Sequence, residues 1–266
     1  MRIMTWNVNS VKVRAERLAG VLERHEPDVL CLQELKTPEL PAEMLADLKD
    51  RGYHAAVHGQ KTYNGVAILS KAEPQDVLVG FEGIGFDADG GDDPHARLIG
   101  AVVYGVRIYS GYFPNGGEVG SEKFVYKLAW MRRLRELLDA RHSADEPLIV
   151  AGDVNVAPFD GDVAKPDRWN ESTHCVPEAR EGLQHVEAFG LADVFYQKHQ
   201  EGGVYSWWDY RQLAFPKGDG LRIDIIYATK DLAATCSDAR VDRDERKGKQ
   251  PSDHAPVIAD FDWPAS

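Results

Sequence analysis

Three apolar runs in this chain, each suited to a buried strand, break off into an acid or an amide. Residues Arg2 to Trp6 end in Asn7, Val29 to Leu32 end in Gln33-Glu34, and Leu148 to Ala151 pass through Gly152 into Asp153. A fourth run, Leu221 to Ala228, holds Asp224 among residues suited to burial. A strand inside a core cannot keep a free carboxylate, so each acid marks a point where the chain leaves the core or meets a partner. Between these runs lie segments of helical spacing, predicted at Ser10 to Glu26 with Ser10 as N-cap, Pro41 to Arg51, Ser121 to His142 and Pro177 to Phe189. Strand, polar terminus and helix in alternation predict a mixed α/β fold, and with no internal linker or low-complexity stretch the expectation is one domain over residues 1–266.

Asp153 and Asn155 flank Val154, so at strand spacing they point the same way, although the pair also suits the cap of a turn. The pattern around Gly105 predicts a hairpin of Leu98 to Tyr104 and Val106 to Tyr112. Phe81 to Pro94, rich in Gly and Asp, is predicted to be an exposed loop, and Lys127, Arg132, Arg133 and Arg135 to be the solvated face of the long helix. Asp160 to Cys175 reads as irregular and polar. Tyr205 to Arg211 is dense in aromatic residues, which suit core or lid packing or, beside a phosphate site, stacking on bases.

The sequence Pro251-Ser252-Asp253-His254-Ala255-Pro256 puts a carboxylate beside an imidazole just before the last apolar run, Val257 to Phe261. Such a pair offers a ligand or charge partner next to a group that titrates near neutral pH. Glu34, Asp153, Asp224 and Asp253, with Asn7, Asn155 and His254, form a hard oxygen-rich set that favours Mg²⁺ or Mn²⁺, while thiolate and multiple-His zinc spacings are absent. Metal-assisted phosphoester hydrolysis is the chemistry such a set suits. No serine-hydrolase elbow, Walker loop or dinucleotide turn occurs.

The net charge of -12 argues against a protein that coats nucleic acid through a global positive field, but it leaves room for a local basic rim at Arg243, Arg246, Lys247 and Lys249. Cys31, Cys175 and Cys236 are widely spaced, no signal peptide precedes the first strand, and no apolar run approaches the roughly 18 residues of a membrane span. A reduced, cytoplasmic, monomeric protein without membrane contact is the expectation.

Trp6-Asn7-Val8-Asn9, Leu32-Gln33-Glu34, Asn64-Gly65-Val66-Ala67, Gly111 to Gly116, Gly152-Asp153-Val154-Asn155, Trp208-Asp209-Tyr210-Arg211, Leu221-Arg222-Ile223-Asp224 and Ser252-Asp253-His254 follow one another across nearly the whole chain. In that order they resemble the motifs of the exonuclease III family of DNA repair nucleases. The resemblance implies a four-layer α/β sandwich, two packed mixed sheets flanked by helices, with a catalytic cleft at one edge. It implies action on duplex DNA, 5' to abasic sites and at 3' ends, with Mg²⁺ as cofactor. Position by position, Asn7 and Glu34 would bind the metal with Asp253 nearby, and Asp153, Asn155 and His254 would complete its surroundings. Asp153 would activate or position water, Asn155 would hold water and phosphate, Asp224 would pair with His254 against the phosphate, and Tyr112 would assist the leaving group. Lys123, Trp207, Trp208 and Arg222 would contact substrate.

His174 falls in a segment that is substrate-facing in the family, where an imidazole would narrow the pocket and favour 3'-end processing over internal abasic cleavage. Two other readings share these residues: a phosphoesterase acting on an inositol phosphate, a phospholipid headgroup or single-stranded RNA, and a DNA-binding scaffold without chemistry. The DNA-repair motifs disfavour the first, and the complete acid set disfavours the second.

Overall fold

The computed structural model describes residues 1–86 and 92–263. The chain enters through β1 (Arg2–Asn7), α1 (Ala15–His25), β2 (Val29–Gln33), α2 (Ala42–Asp50), β3 (His54–His58) and β4 (Val66–Ser70). It continues through β5 (Gln75–Val79), β6 (Leu98–Val103), β7 (Val106–Tyr112), α3 (Glu122–Arg141) and β8 (Leu148–Asp153). The last part holds α4 (Pro166–Trp169), α5 (Pro177–Glu187), β9 (Leu191–Asp193), β10 (Asp224–Thr229), α6 (Lys230–Ala234), β11 (Cys236–Val241) and β12 (Val257–Phe261).

Two six-stranded sheets result, in the orders β11-β12-β1-β2-β4-β3 and β5-β6-β7-β8-β10-β9. Each holds one parallel pair, β1 with β2 and β7 with β8, and the other pairs are antiparallel. The crossovers of the two parallel pairs contain α1 and α3. Strand alternation then sorts the side chains into layers. Ile3, Cys31, Ile68, Ile108, Ile149 and Ile226 meet between the sheets. Met4, Trp6 and Leu30 turn outward to Leu18 and Leu22 of α1 and Met44 of α2, while Tyr109, Val150 and Ile225 turn outward to Trp130 and Leu134 of α3 and Leu183 of α5. Helix, sheet, sheet, helix is the sandwich that the resemblance implied.

Where local chemistry was strong, the elements fall as predicted. Ser121 caps α3, its Oγ accepting from Phe124 N at 3.2 Å. The hairpin turns at Tyr104 and Gly105, both at positive φ, as a tight right-twisted hairpin requires. Ser10 does not cap α1: it sits at φ 89° in a turn, and the helix begins four residues after the predicted first position, Val11, at Ala15. Within the segment predicted as an exposed loop, Phe81 is buried against Trp130, and residues 87–91 lie outside the described residues.

Asn7, Asp153 and Asp224 continue the inter-sheet faces of β1, β8 and β10. Asp224 opens β10 directly opposite Asp153, the last residue of β8, because the two strands are antiparallel. The acids therefore gather where the inter-sheet core ends. Gly152 lies opposite Gly111 in the parallel pair, and a Cβ at 152 would sit 1.8 Å from the Gly111 oxygen. The glycine before Asp153 is there for close backbone approach.

Candidate active site

Asn7, at the end of β1, donates through Nδ2 to Glu34 Oε1 at 2.8 Å and to Asp153 Oδ2 at 2.9 Å, so one amide links the two sheets. Its Oδ1 accepts from the backbone N–H of Asn9 at 3.0 Å. The opposite amide orientation would set its oxygen against two carboxylates. Asn7 therefore stands here as a donor that orients the two acids.

Glu34 follows β2 in a left-handed conformation, φ 53°, which non-glycine residues adopt at a cost of about 1–2 kcal/mol. Asn9, Ser10, Lys36 and Asn155 share positive φ around the same edge, and such strain concentrates at functional sites. Tyr112 donates its hydroxyl to Glu34 Oε1 at 3.0 Å, and Lys36 Nζ lies 2.8 Å from Oε2. Burial, then Glu34 and Asp153, push the Tyr112 phenol well above its ordinary range, so it remains a proton donor.

Asp153 Oδ1 accepts from Asn155 N at 3.0 Å, closing a turn that ends the strand. Asn155 thus leaves strand alternation, and its position comes from this turn and from Nδ2 donating to Phe113 O at 2.9 Å. The capping alternative is met by one oxygen of the carboxylate, while the other accepts from Asn7. Burial raises the Asp153 carboxyl, with Asp224 and Glu34 adding to it and His254 and Asn7 opposing.

His254 donates Nδ1–H to Asp224, 2.8 and 3.1 Å from its two oxygens, while Nε2 lies 3.7 Å from Asp153. Burial alone would lower this imidazole, but Asp224 and Asp153 prevail and raise it to about 10. In its imidazolium form both ring nitrogens carry protons, and the ring then stands as a positive charge beside Asp153.

Glu34, Asp153 and His254 bring potential ligand atoms within 4.8 Å of one another. The donor set fits a hard divalent cation: two carboxylates converge, and buried Asp153 gains from positive charge. Asp253, expected in the same set, lines the same cavity and is held by Asn9 Nδ2 at 2.9 Å and Trp207 Nε1 at 3.1 Å.

The cavity between these groups is about 140 Å³, lined by Glu34, Tyr112, Asn115, Asp153, Asn155, His174, Trp207, Ile223, Asp253 and His254. A larger groove of about 600 Å³ runs between α1 and α2, but no imidazole, hydroxyl or side-chain amide lines it. His174 Nδ1 donates to Asn155 O at 2.8 Å, which leaves Nε2 as the acceptor 3.4 Å from Asn115 Nδ2. Burial, then the nearby Lys127 charge, holds this imidazole down at about 3. Its ring packs beside Trp207 and Trp169, centroids 6.0 and 6.2 Å away, as one aromatic wall.

Other expected substrate contacts lie elsewhere. Trp208 is buried, edge-on to Phe215 at 5.1 Å, because the backbone at 207–208 turns one indole to the cavity and the next to a small core with Ala214 and Ala255. Arg222 is buried too, its guanidinium paired with Asp162 at 2.7 Å and Asp193 at 2.7 Å. Lys123 is exposed over a neighbouring cleft of about 280 Å³ that shares Asn115 with the site. In the expected basic rim, Arg246 is buried, donating to Trp208 O and Ser252 O, while Arg243, Lys247 and Lys249 are exposed.

Two residues escaped the sequence reading. Asn115 donates to Asn155 Oδ1 at 3.2 Å, and its signal was the Pro-Asn-Gly turn after β7. Lys127, expected on the solvated face of α3, is fully buried, with Nζ donating to Asn115 O at 3.2 Å, Asn155 O at 2.6 Å and Thr173 O at 2.9 Å. Burial draws this ammonium down to about 7 against the pull of Asp153, and three carbonyls match only the three protons of the charged form.

Residues 4–254 match the Endonuclease/Exonuclease/phosphatase family. Exodeoxyribonuclease III of Haemophilus influenzae is 34% identical, with 98% of this chain and 100% of the relative covered. Among solved structures, the 3' phosphatase NExo from Neisseria, bound to a product DNA hairpin, is 43% identical with a TM-score of 0.91, covering 99% of this chain and 100% of that one. An AP endonuclease from Archaeoglobus fulgidus is 35% identical with a TM-score of 0.91, covering 98% and 99%. The two-sheet architecture, the acid cluster at its edge and these likenesses agree: the chain belongs to the endonuclease/exonuclease/phosphatase family, within its exodeoxyribonuclease III group.

Proposed function

We propose that the protein is a metal-dependent DNA repair nuclease that hydrolyses phosphodiesters of duplex DNA, processing 3' ends in preference to cleaving 5' to abasic sites. The observation that carries this reading is the convergence of Glu34, Asp153, Tyr112 and the Asp224-held His254 on one cavity. At about 140 Å³ it is smaller than the roughly 300–1,000 Å³ of small-molecule sites, so it suits a phosphate group better than a whole nucleotide.

Glu34 and Asp153 would hold the cation, Mg²⁺ or in its place Mn²⁺. When bound, it supplies positive charge to the phosphate and its leaving oxygen. Asp153 is oriented by Asn7 and by Asn155 N–H, so its carboxylate is aimed to position, and take a proton from, water placed beside it. The His254 imidazolium, fixed by Asp224, offers Nε2–H to the charge that builds on phosphorus oxygens. Tyr112 keeps its proton and can give it to the leaving oxygen. Asn155 and Asn115 line the same cavity as polar contacts for the phosphate.

His174 and Trp207 pack together as one aromatic wall that narrows the cavity, which supports the preference for 3' ends. The test offers one duplex with a recessed 3' end and one with an internal abasic analogue, each with Mg²⁺ and with chelator. Metal-dependent cleavage of the recessed end is expected to dominate, and His174→Gly to raise the abasic share. Cleavage of neither duplex overturns the nuclease reading, and an unchanged ratio in His174→Gly removes the role of the imidazole.

A further inference from the structure

Lys127 is a buried residue beside the site whose charge the proposed chemistry leaves unused. It projects from α3, and Gly116 makes room for its stem: a Cβ there would meet Lys127 Cδ at 2.9 Å. Among the described residues no carboxylate lies within ion-pair distance of its ammonium, and all three hydrogen bonds go to backbone carbonyls. A buried ammonium without a counterion is costly. The charge must therefore do something other than fill volume.

Its acceptors identify that role. Asn115 follows β7, Asn155 follows β8, and Thr173 belongs to the segment before α5, so three stretches distant in sequence meet on one nitrogen. Each is next to, or is, a residue whose side chain lines the cavity: Asn115, Asn155 and His174. Asn155 O also accepts from His174 Nδ1, and Asn115 O from Thr173 Oγ1 at 2.8 Å, so the same carbonyls register the loops against one another.

We propose that Lys127 is a positioning residue for phosphodiester hydrolysis, a three-way backbone clamp that sets the relative placement of Asn115, Asn155 and His174. This rests on the nuclease reading above. Lys127 touches no substrate and acts only through the loops it joins. Displacing reacting groups by about 1 Å can cost on the order of 10²-fold in rate, so the expected loss appears in turnover more than in binding.

The experiment compares wild type, Lys127→Met and Lys127→Arg on the recessed 3'-end duplex with Mg²⁺, with kcat, KM and thermal midpoint measured for each. Lys127→Met keeps length and removes the donors: kcat is expected to fall about 10- to 100-fold, KM to stay within about three-fold, and the protein to remain folded at the assay temperature. Lys127→Arg restores charge and donors and is expected to recover most of the lost kcat. A folded Lys127→Met with wild-type kcat overturns the clamp, as does a loss of rate that only follows the folded fraction. Should Lys127→Met not fold, nitrogen-15 spectra of the wild-type lysine ammonium decide: slow proton exchange and through-bond coupling to carbonyls support the clamp, and rapid exchange overturns it. If wild type itself cleaves no duplex, the failure belongs to the nuclease reading.

Discussion

Replacing Asp224 with Asn tests the charge logic of the site most directly. Asp224 is fully buried, and both its oxygens face His254 Nδ1. The imidazole is raised from an ordinary 6.5 to about 10 by Asp224 and then Asp153, against burial. An amide keeps one acceptor for Nδ1–H but removes the charge, leaving Asp153, 3.7 Å from Nε2, as the nearest counter-charge. We expect the titration of His254 to fall by about two pH units, equivalent to about 2.7 kcal/mol. Because the folded state raises this base, its contribution to stability is complete below about 6.5 and fades as pH rises toward 10. Asp224→Asn should therefore destabilise the metal-free protein most at mildly acidic pH and least near the upper limit. Urea unfolding across that range and an NMR titration of the His254 ring provide the readouts. With Mg²⁺, kcat should fall on the order of 10²- to 10³-fold, the scale of one lost transition-state donor. A His254 titration that stays in place, or a stability loss equal at both ends of the range, refutes the assignment.

Two further expectations follow from buried groups nearby. Arg222→Met leaves Asp162 and Asp193 without their partner, so urea midpoints should report a loss of about 3–5 kcal/mol while KM for duplex DNA holds; a raised KM with stability intact would return Arg222 to the substrate. His174, held at about 3 against an ordinary 6.5, makes a contribution to stability that is complete above about 6.5 and is lost as pH falls toward 3. Unfolding of His174→Gln should consequently depend less on pH in that window, by at most about 1.4 kcal/mol per pH unit, and an unchanged slope would contradict the buried neutral imidazole.

The sequence displayed strand cores, strand ends and the acids placed on them, because alternation and an abrupt change of polarity are local signals. Asp153 opposite Asp224 was beyond reach, since antiparallel register between β8 and β10 is a property of two distant strands. Trp207 and Trp208 read alike as neighbours in an aromatic cluster, yet one indole lines the cavity and the other is core. Arg222 and Lys127 carry charge in segments that otherwise look like ordinary strand entry and helix face, and only the tertiary neighbours explain their burial: two aspartates for the first, three carbonyls for the second. Asn7 was legible as a strand-end amide, but the contact of its oxygen with the Asn9 N–H depends on the turn that follows.

That single amide spans a seam. Asn7 reaches Glu34 in its own sheet and Asp153 in the other, and Gln33 repeats the crossing one strand over, donating to Thr5 and to Ser110 at 3.0 and 3.2 Å. The site works as an alignment gauge for two separate slabs of protein. A slide of one sheet over the other, too small to expose the core, breaks the gauge first, so heating should extinguish turnover before spectroscopic unfolding begins. Volume changes at Ile108 or Ile149, deep between the sheets, should then register as altered rate in a protein that is still folded.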